Sequence, residues 1–129
     1  MMADLTFISE TGMFHAACRA TFGSAIEWYG FKPRKHRAAV GAGVVDRSNR
    51  AAFVNHLITF EVNDTVLLAA LRSVAFQYSS KKYVVGVCDC VSFTADVARK
   101  VGLKVPTVNL TPYGFIQVLA LWNAYAAKY

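Results

Sequence analysis

Two different apolar periodicities divide this chain, and together they fix its fold class. Up to about residue 62 the apolar residues come in short runs bounded by turn residues, as in strands. Leu5–Ser9 is the first such run, with Leu5, Phe7 and Ile8. Met13–Phe22 and Ala25–Phe31 are the next two, separated by Gly23–Ser24, a hairpin signal. Aromatic and β-branched residues dominate the third run, which suits a pleated surface. Phe53–Val62 returns to the same character with Val54, Leu57, Ile58, Phe60 and Val62.

Beyond that point the pattern turns helical. Asn63–Asp64 offers an N-cap, and Val66, Leu67, Ala70, Leu71, Val74 and Tyr78 then share one broad face. Tyr83–Cys88 is a short apolar segment leading into Asp89, an N-cap for a second helix over Cys90–Val101. Phe93, Val97 and Val101 form its inner face, and Gly102 stands where a C′ residue belongs. Thr111–Pro112 is an N-cap followed by proline at the first helical position. The third helix is expected over Tyr113–Ala127, with Phe115, Leu119, Trp122 and Ala126 inward. Strands followed by helices define an α+β chain, an antiparallel sheet with helices packed on it.

One stretch fits neither pattern. Lys32–Arg50 carries Lys32, Arg34, Lys35, Arg37, Arg47 and Arg50, with Gly41 and Gly43 among small residues. It reads as a long, basic, exposed loop, of the kind that is functional, mobile or simply solvated.

With 129 residues the chain can bury one real core but not two, so residues 1–129 form a single domain. Apolar residues at 55% against 17% charged argue for a compact globule and against disorder. The net charge of +6 favours anionic partners such as cell-wall polymer, a membrane surface or an acidic protein, or serves solubility alone. Nucleic acid is not expected, because no recognition helix or stacking motif accompanies the basic residues. No stretch approaches the roughly 18 to 20 apolar residues of a membrane span, so stable membrane insertion is not expected. The first ten residues lack the basic and apolar regions of a secretory leader. Work outside the cytoplasm would therefore need a leaderless route.

Chemistry concentrates at the cysteines. Cys18, Cys88 and Cys90 are odd in number, so they are not a disulfide framework. With no Cys-x-x-Cys pair and no clustered histidines, no metal or other cofactor is expected. Cys90 falls in the first turn of a helix. Free N–H groups and the helix dipole there favour a thiolate near neutral pH and could hold an oxyanion. Asp89 works against ionisation unless its charge is spent on capping. The proton partner must be His15, His36 or His56. His15 lies in an apolar run between small residues, where a histidine is either hydrogen-bonded core or catalyst; His36 falls in the basic stretch; His56 begins a strand. Cys18, three residues from His15, faces the other side of a regular strand, and Cys88 sits at the turn before the cap.

The segment Val87–Cys88–Asp89–Cys90–Val91–Ser92–Phe93–Thr94–Ala95–Asp96–Val97–Ala98 resembles the nucleophile helix of papain-like hydrolases of the NlpC type. The candidate histidine precedes the cysteine, an order that looks like the circularly permuted branch containing lecithin:retinol acyltransferase-like enzymes and bacterial effector toxins. Gly12–Met13–Phe14–His15–Ala16, followed by Glu27–Trp28–Tyr29–Gly30–Phe31–Lys32–Pro33, is similar to the histidine strand and Tyr-Gly-Phe strand of that branch. The resemblance covers roughly residues 10–103. It implies Cys90 as nucleophile, His15 as base, and an orienting third residue on the strand after the histidine: Glu27, with Tyr29 and His56 as alternatives. Asp89 departs from the neutral residue often found before the nucleophile.

The resemblance further implies a cysteine hydrolase cleaving amide bonds in peptidoglycan peptides. The role implied is that of an antibacterial effector, secreted without a leader to the periplasm of a target cell and countered by an immunity protein. An acyltransferase or lipid hydrolase of the same permuted fold, or a non-catalytic binding module working through Lys32–Arg50, are the alternatives.

Overall fold

The computed structural model describes residues 1–11, 15–35 and 38–129. The starting residues of the expected second strand, and His36 with Arg37, lie outside the described residues. Among the described residues seven strands form one antiparallel sheet: β1 (Met2–Glu10), β2 (Ala16–Phe22), β3 (Ala25–Pro33), β4 (Val40–Asp46), β5 (Val54–Asn63), β6 (Lys82–Val84) and β7 (Ala127–Lys128). Their order across the sheet is β6-β4-β3-β2-β1-β5-β7. Three α-helices, α1 (Asp64–Tyr78), α2 (Cys90–Lys100) and α3 (Pro112–Trp122), complete an α+β domain.

Alternation along the strands decides which face the helices cover. Leu5 and Phe7 of β1, Ala16, Cys18 and Ala20 of β2, Tyr29 and Phe31 of β3, and Ile58 and Phe60 of β5 point into the main core. There they meet Leu67, Leu71, Val74 and Tyr78 of α1, Phe93 and Val97 of α2, and Phe115, Ile116 and Leu119 of α3. Phe31, Tyr78 and Phe93 interlock edge to face, at centroid distances of 4.9 and 5.1 Å. The opposite face carries a smaller cluster of Ile8, Ala17 and Trp28.

The capping signals hold. Asn63 Oδ1 accepts from the Val66 N–H, Asp89 caps α2, and Thr111 Oγ1 accepts from the Gly114 N–H with Pro112 next in line. Gly102 closes α2 at φ +90°. Two expectations change. Lys32–Arg50 is not one long loop: Gly43–Asp46 pairs with β3, and Val40–Ala42 pairs with β6. β4 itself contains no lysine or arginine, and its Val40, Val44 and Val45 suit a pleated strand; the cations of the stretch lie to either side of it. The third helix stops at Trp122, where Asn123 bridges back to both Lys104 and Leu119. The chain then extends to pair with β5 at Ile58 and Thr59, which leaves Trp122 and Ala126 outside the core. Among the described residues no helix is long and apolar enough to cross a membrane.

Candidate functional site

The turn before α2 is built to hold Asp89. The Cys88 and Val84 backbones exchange hydrogen bonds, Gly86 adopts φ +83°, and its N–H donates to Asp89 Oδ2 at 2.8 Å. Oδ1 accepts from the N–H groups of Val91 and Ser92 and from Asn109 Nδ2, at 3.0, 3.1 and 3.0 Å. Ser92 returns the favour through Oγ, which accepts from the Asp89 N–H and closes a capping box. The carboxylate is thus fully buried and spent on the helix start, as the capping argument requires.

Cys90 is the first residue of α2, and its side chain enters the main core with no solvent exposure. The polar groups near the sulfur are the backbone N–H of Ala16, the Tyr83 hydroxyl and the Val91 N–H. All three favour the thiolate, but they lose to burial, and the Asp89 charge adds to the loss. The thiol is pushed up to about 11. The expectation of a resting thiolate is therefore corrected: desolvation outweighs the helix terminus. Cys18 is also fully buried, and burial alone raises its thiol further. Cys88 is half-buried, its thiol raised chiefly by burial.

His15 sits directly before β2 and is buried. Its Nε2 lies 3.6 Å from Glu10 Oε2 and beside Gly30, where an added Cβ would meet both that nitrogen and Ala17 Cβ. The ring therefore lies over the Ala17 face of the sheet, while Cys90 packs on the helix face. The structure brings the sulfur to the backbone one residue along from His15; among the described residues no hydrogen bond joins the two side chains. Burial lowers the imidazole below its ordinary range, Glu10 opposes this, and Arg50 reinforces it.

Glu10 is the residue that sequence reasoning missed. The hairpin bond from the Glu10 N–H to the His15 carbonyl sets the two side by side, next to an irregularity in the β1–β5 register at Ser9/Glu10. The side chain has no exposure and is held by Arg50, Nη2 to Oε1 at 2.6 Å and Nε to Oε2 at 2.8 Å. Only its closeness to His15 in the sequence pointed to it.

The expected third residue is elsewhere. Glu27 Oε1 accepts from the Tyr29 hydroxyl at 2.7 Å and from Arg47 at 3.2 Å, and the Arg47 guanidinium lies 3.7 Å over the Tyr29 ring. These contacts commit both Glu27 and Tyr29 away from the imidazole. His56 stacks on Tyr113, with centroids 4.0 Å apart. The basic stretch is likewise partly neutralised, through Lys32–Asp46, Arg47–Glu27 and Arg50–Glu10. A cleft of about 430 Å³ lies on the outer side of α2, bordered by Cys88, Ser92, Asp96, Arg99 and Asn109; Cys90 does not line it. Among the described residues no three His, Cys, Asp or Glu side chains group as a metal site would need.

The arrangement defines an α+β domain in which a helix-initial cysteine packs against the strand that follows a buried histidine. No family model matches the chain, and no curated protein does. Among solved structures it is similar to the crystal structure of a type VI secretion system effector, TseH, with a TM-score of 0.62 and 13% identity, over 93% of this chain and 87% of that one. At that identity the likeness is one of fold.

Proposed function

We propose that this chain is a thiol hydrolase of the permuted NlpC type, acting as a secreted effector on amide bonds of peptidoglycan peptides. The observation that carries the reading is the approach of the Cys90 sulfur to the Ala16 N–H, one residue from a buried imidazole that faces a buried carboxylate. Helix start, strand start and carboxylate are the three parts a cysteine–histidine hydrolase needs. The fold likeness to a type VI secretion effector supports the effector role.

Because the resting thiol is protonated, attack begins with proton removal rather than from a stored ion pair. Glu10 faces Nε2, which leaves Nδ1 free; for Nδ1 to take the Cys90 proton, substrate binding has to bring together a ring and a sulfur that lie on opposite faces of the sheet in the free protein. The sulfur then adds to the carbonyl carbon, and N–H groups at the start of α2 hold the oxyanion. The imidazolium returns its proton to the leaving amine, and water, deprotonated by His15, resolves the thioester. Substrate binding has to uncover the sulfur, which has no exposure in the free protein. Action would be in the periplasm of a target cell, and an immunity protein would be the expected antagonist.

The test is digestion of purified cell walls. The protein should release muropeptide fragments, and Cys90→Ala and His15→Gln should each release none. Fragments released at wild-type rate by Cys90→Ala would overturn the assignment. The covered, protonated thiol favours one second reading, a binding module that keeps the scaffold without chemistry. Retention on walls without any fragment release, unchanged in Cys90→Ala, would establish it.

A further inference from the structure

A carboxylate without solvent exposure needs a positive partner to stay charged. Glu10 has two cation-forming neighbours. The Arg50 guanidinium takes both of its oxygens, at 2.6 and 2.8 Å, while His15 Nε2 stands 3.6 Å from Oε2, beyond hydrogen-bond range. The geometry points to Arg50 as a positioning residue: by supplying the one positive charge Glu10 requires, it holds Glu10 in place and leaves His15 oriented but neutral, free to accept a proton. The consequence for catalysis rests on the hydrolase reading; the charge relationship itself does not.

Arg50 is held for this task. Its guanidinium lies 4.4 Å over the Phe53 ring, and the Thr11 N–H donates to the Phe53 carbonyl at 2.8 Å. That bond staples the chain just after Glu10 to the turn just after Arg50. The bidentate fork is an arginine geometry that lysine cannot reproduce. The other groups charged toward His15 are Asp46 on β4 and Lys32 on β3, which pair with each other at 3.6 Å and largely offset. On the helix side the Cys90 thiol is neutral. The balance between Glu10 and Arg50 therefore decides the ring's charge. With Arg50 gone, the cheapest remaining counter-ion for Glu10 is a protonated His15.

The experiment is an NMR titration of the His15 ring in the whole chain, its signal assigned by its loss in His15→Gln. In Arg50→Met the midpoint should rise by about one pH unit or more, the size expected for a carboxylate that loses its cation beside an imidazole. In Glu10→Gln/Arg50→Met, an uncharged pair, it should fall back to the wild-type value or below. Arg50→Lys keeps the charge but loses the fork, and should give a smaller rise; it decides the matter should Arg50→Met fail to fold. A midpoint that does not rise in either single variant overturns the inference. The titration uses no substrate, so a protein that leaves cell walls intact would sink the hydrolase reading and leave this one standing.

Discussion

Asn109 donates from Nδ2 to Asp89 Oδ1 at 3.0 Å, so the loop after α2 is tied to the residue that begins α2. The same buried carboxylate takes the N–H groups of Gly86, Val91 and Ser92. Asp89→Ala removes a helix cap and strands several donors at once. Its unfolding free energy should fall by about 2–4 kcal/mol, the sum of a lost cap and unpaired buried donors. A lower urea midpoint at unchanged slope would show it. Asp89→Asn keeps one acceptor oxygen and should lose less. It also removes the charge beside Cys90, so the thiol should titrate below the wild-type value of about 11, followed by thiolate ultraviolet absorbance.

The three thiols should separate by accessibility. Cys88 is half-buried and borders an open cleft, whereas Cys18 and Cys90 have no exposure. Limiting iodoacetamide at neutral pH should label Cys88 first, with the other two reacting only on unfolding. Cys88→Ser should abolish the fast phase in mass spectra. Preferential labelling of Cys90 would mean an open, ionised thiol in solution.

What was legible in the sequence was local. Asn63, Asp89 and Thr111 announce helix starts because a cap bonds within three residues of itself, and Pro112 and Gly102 act through their own backbone angles. Cys90 at a helix start follows from the same chemistry. What was hidden depended on pairing. Lys32, Arg47 and Arg50 look like loop cations until Asp46, Glu27 and Glu10 are brought opposite them by the sheet. Glu10 is forty residues from Arg50, and only the β1–β2 hairpin and the β1–β5 pairing bring it to both His15 and the guanidinium. The third helix was read too long because Trp122 continues its apolar spacing. The Asn123 side chain, bonded to Lys104 and Leu119, ends it instead.

Gly43 shows how tightly β4 is fitted. A Cβ there would overlap Phe31 Cζ and stand 2.9 Å from the Lys81 carbonyl oxygen. Phe31 cannot swing away, because it is fully buried between Tyr78 and Tyr83. Gly43→Ala should therefore cost about 1–3 kcal/mol by overpacking, despite adding a single methyl group. Gly41→Ala meets nothing within 4 Å but needs φ near +159°, so any loss there reflects backbone strain rather than contact. Paired urea denaturation of the two variants, with near-ultraviolet circular dichroism to follow the Phe31–Tyr78–Tyr83 packing, separates the causes. An unchanged aromatic signal in Gly43→Ala would contradict the packing argument.

The buried thiol also makes stability depend on alkaline pH. In the unfolded chain a cysteine ionises near pH 8.5, whereas Cys90 in the fold holds its proton up to about 11. Below the unfolded value both states are protonated and the full stability is present. As pH rises past it, the unfolded chain releases its proton first, so stability falls until the folded thiol itself titrates. Across that window, about 2.5 pH units at ~1.4 kcal/mol each, one such thiol contributes roughly 3 kcal/mol of lost stability. Cys18, Tyr78 and Tyr83 are raised in the same sense and steepen the decline, but they are common to wild type and Cys90→Ala. At neutral pH Cys90→Ala should be the less stable protein, because the core loses the volume of a sulfur atom. As pH climbs toward 11 its deficit should shrink and then reverse, since it no longer carries that titrating group. Urea midpoints of the two proteins along a pH series test this, and a deficit constant from neutral to strongly alkaline pH would show that the Cys90 thiol is not held protonated by the fold.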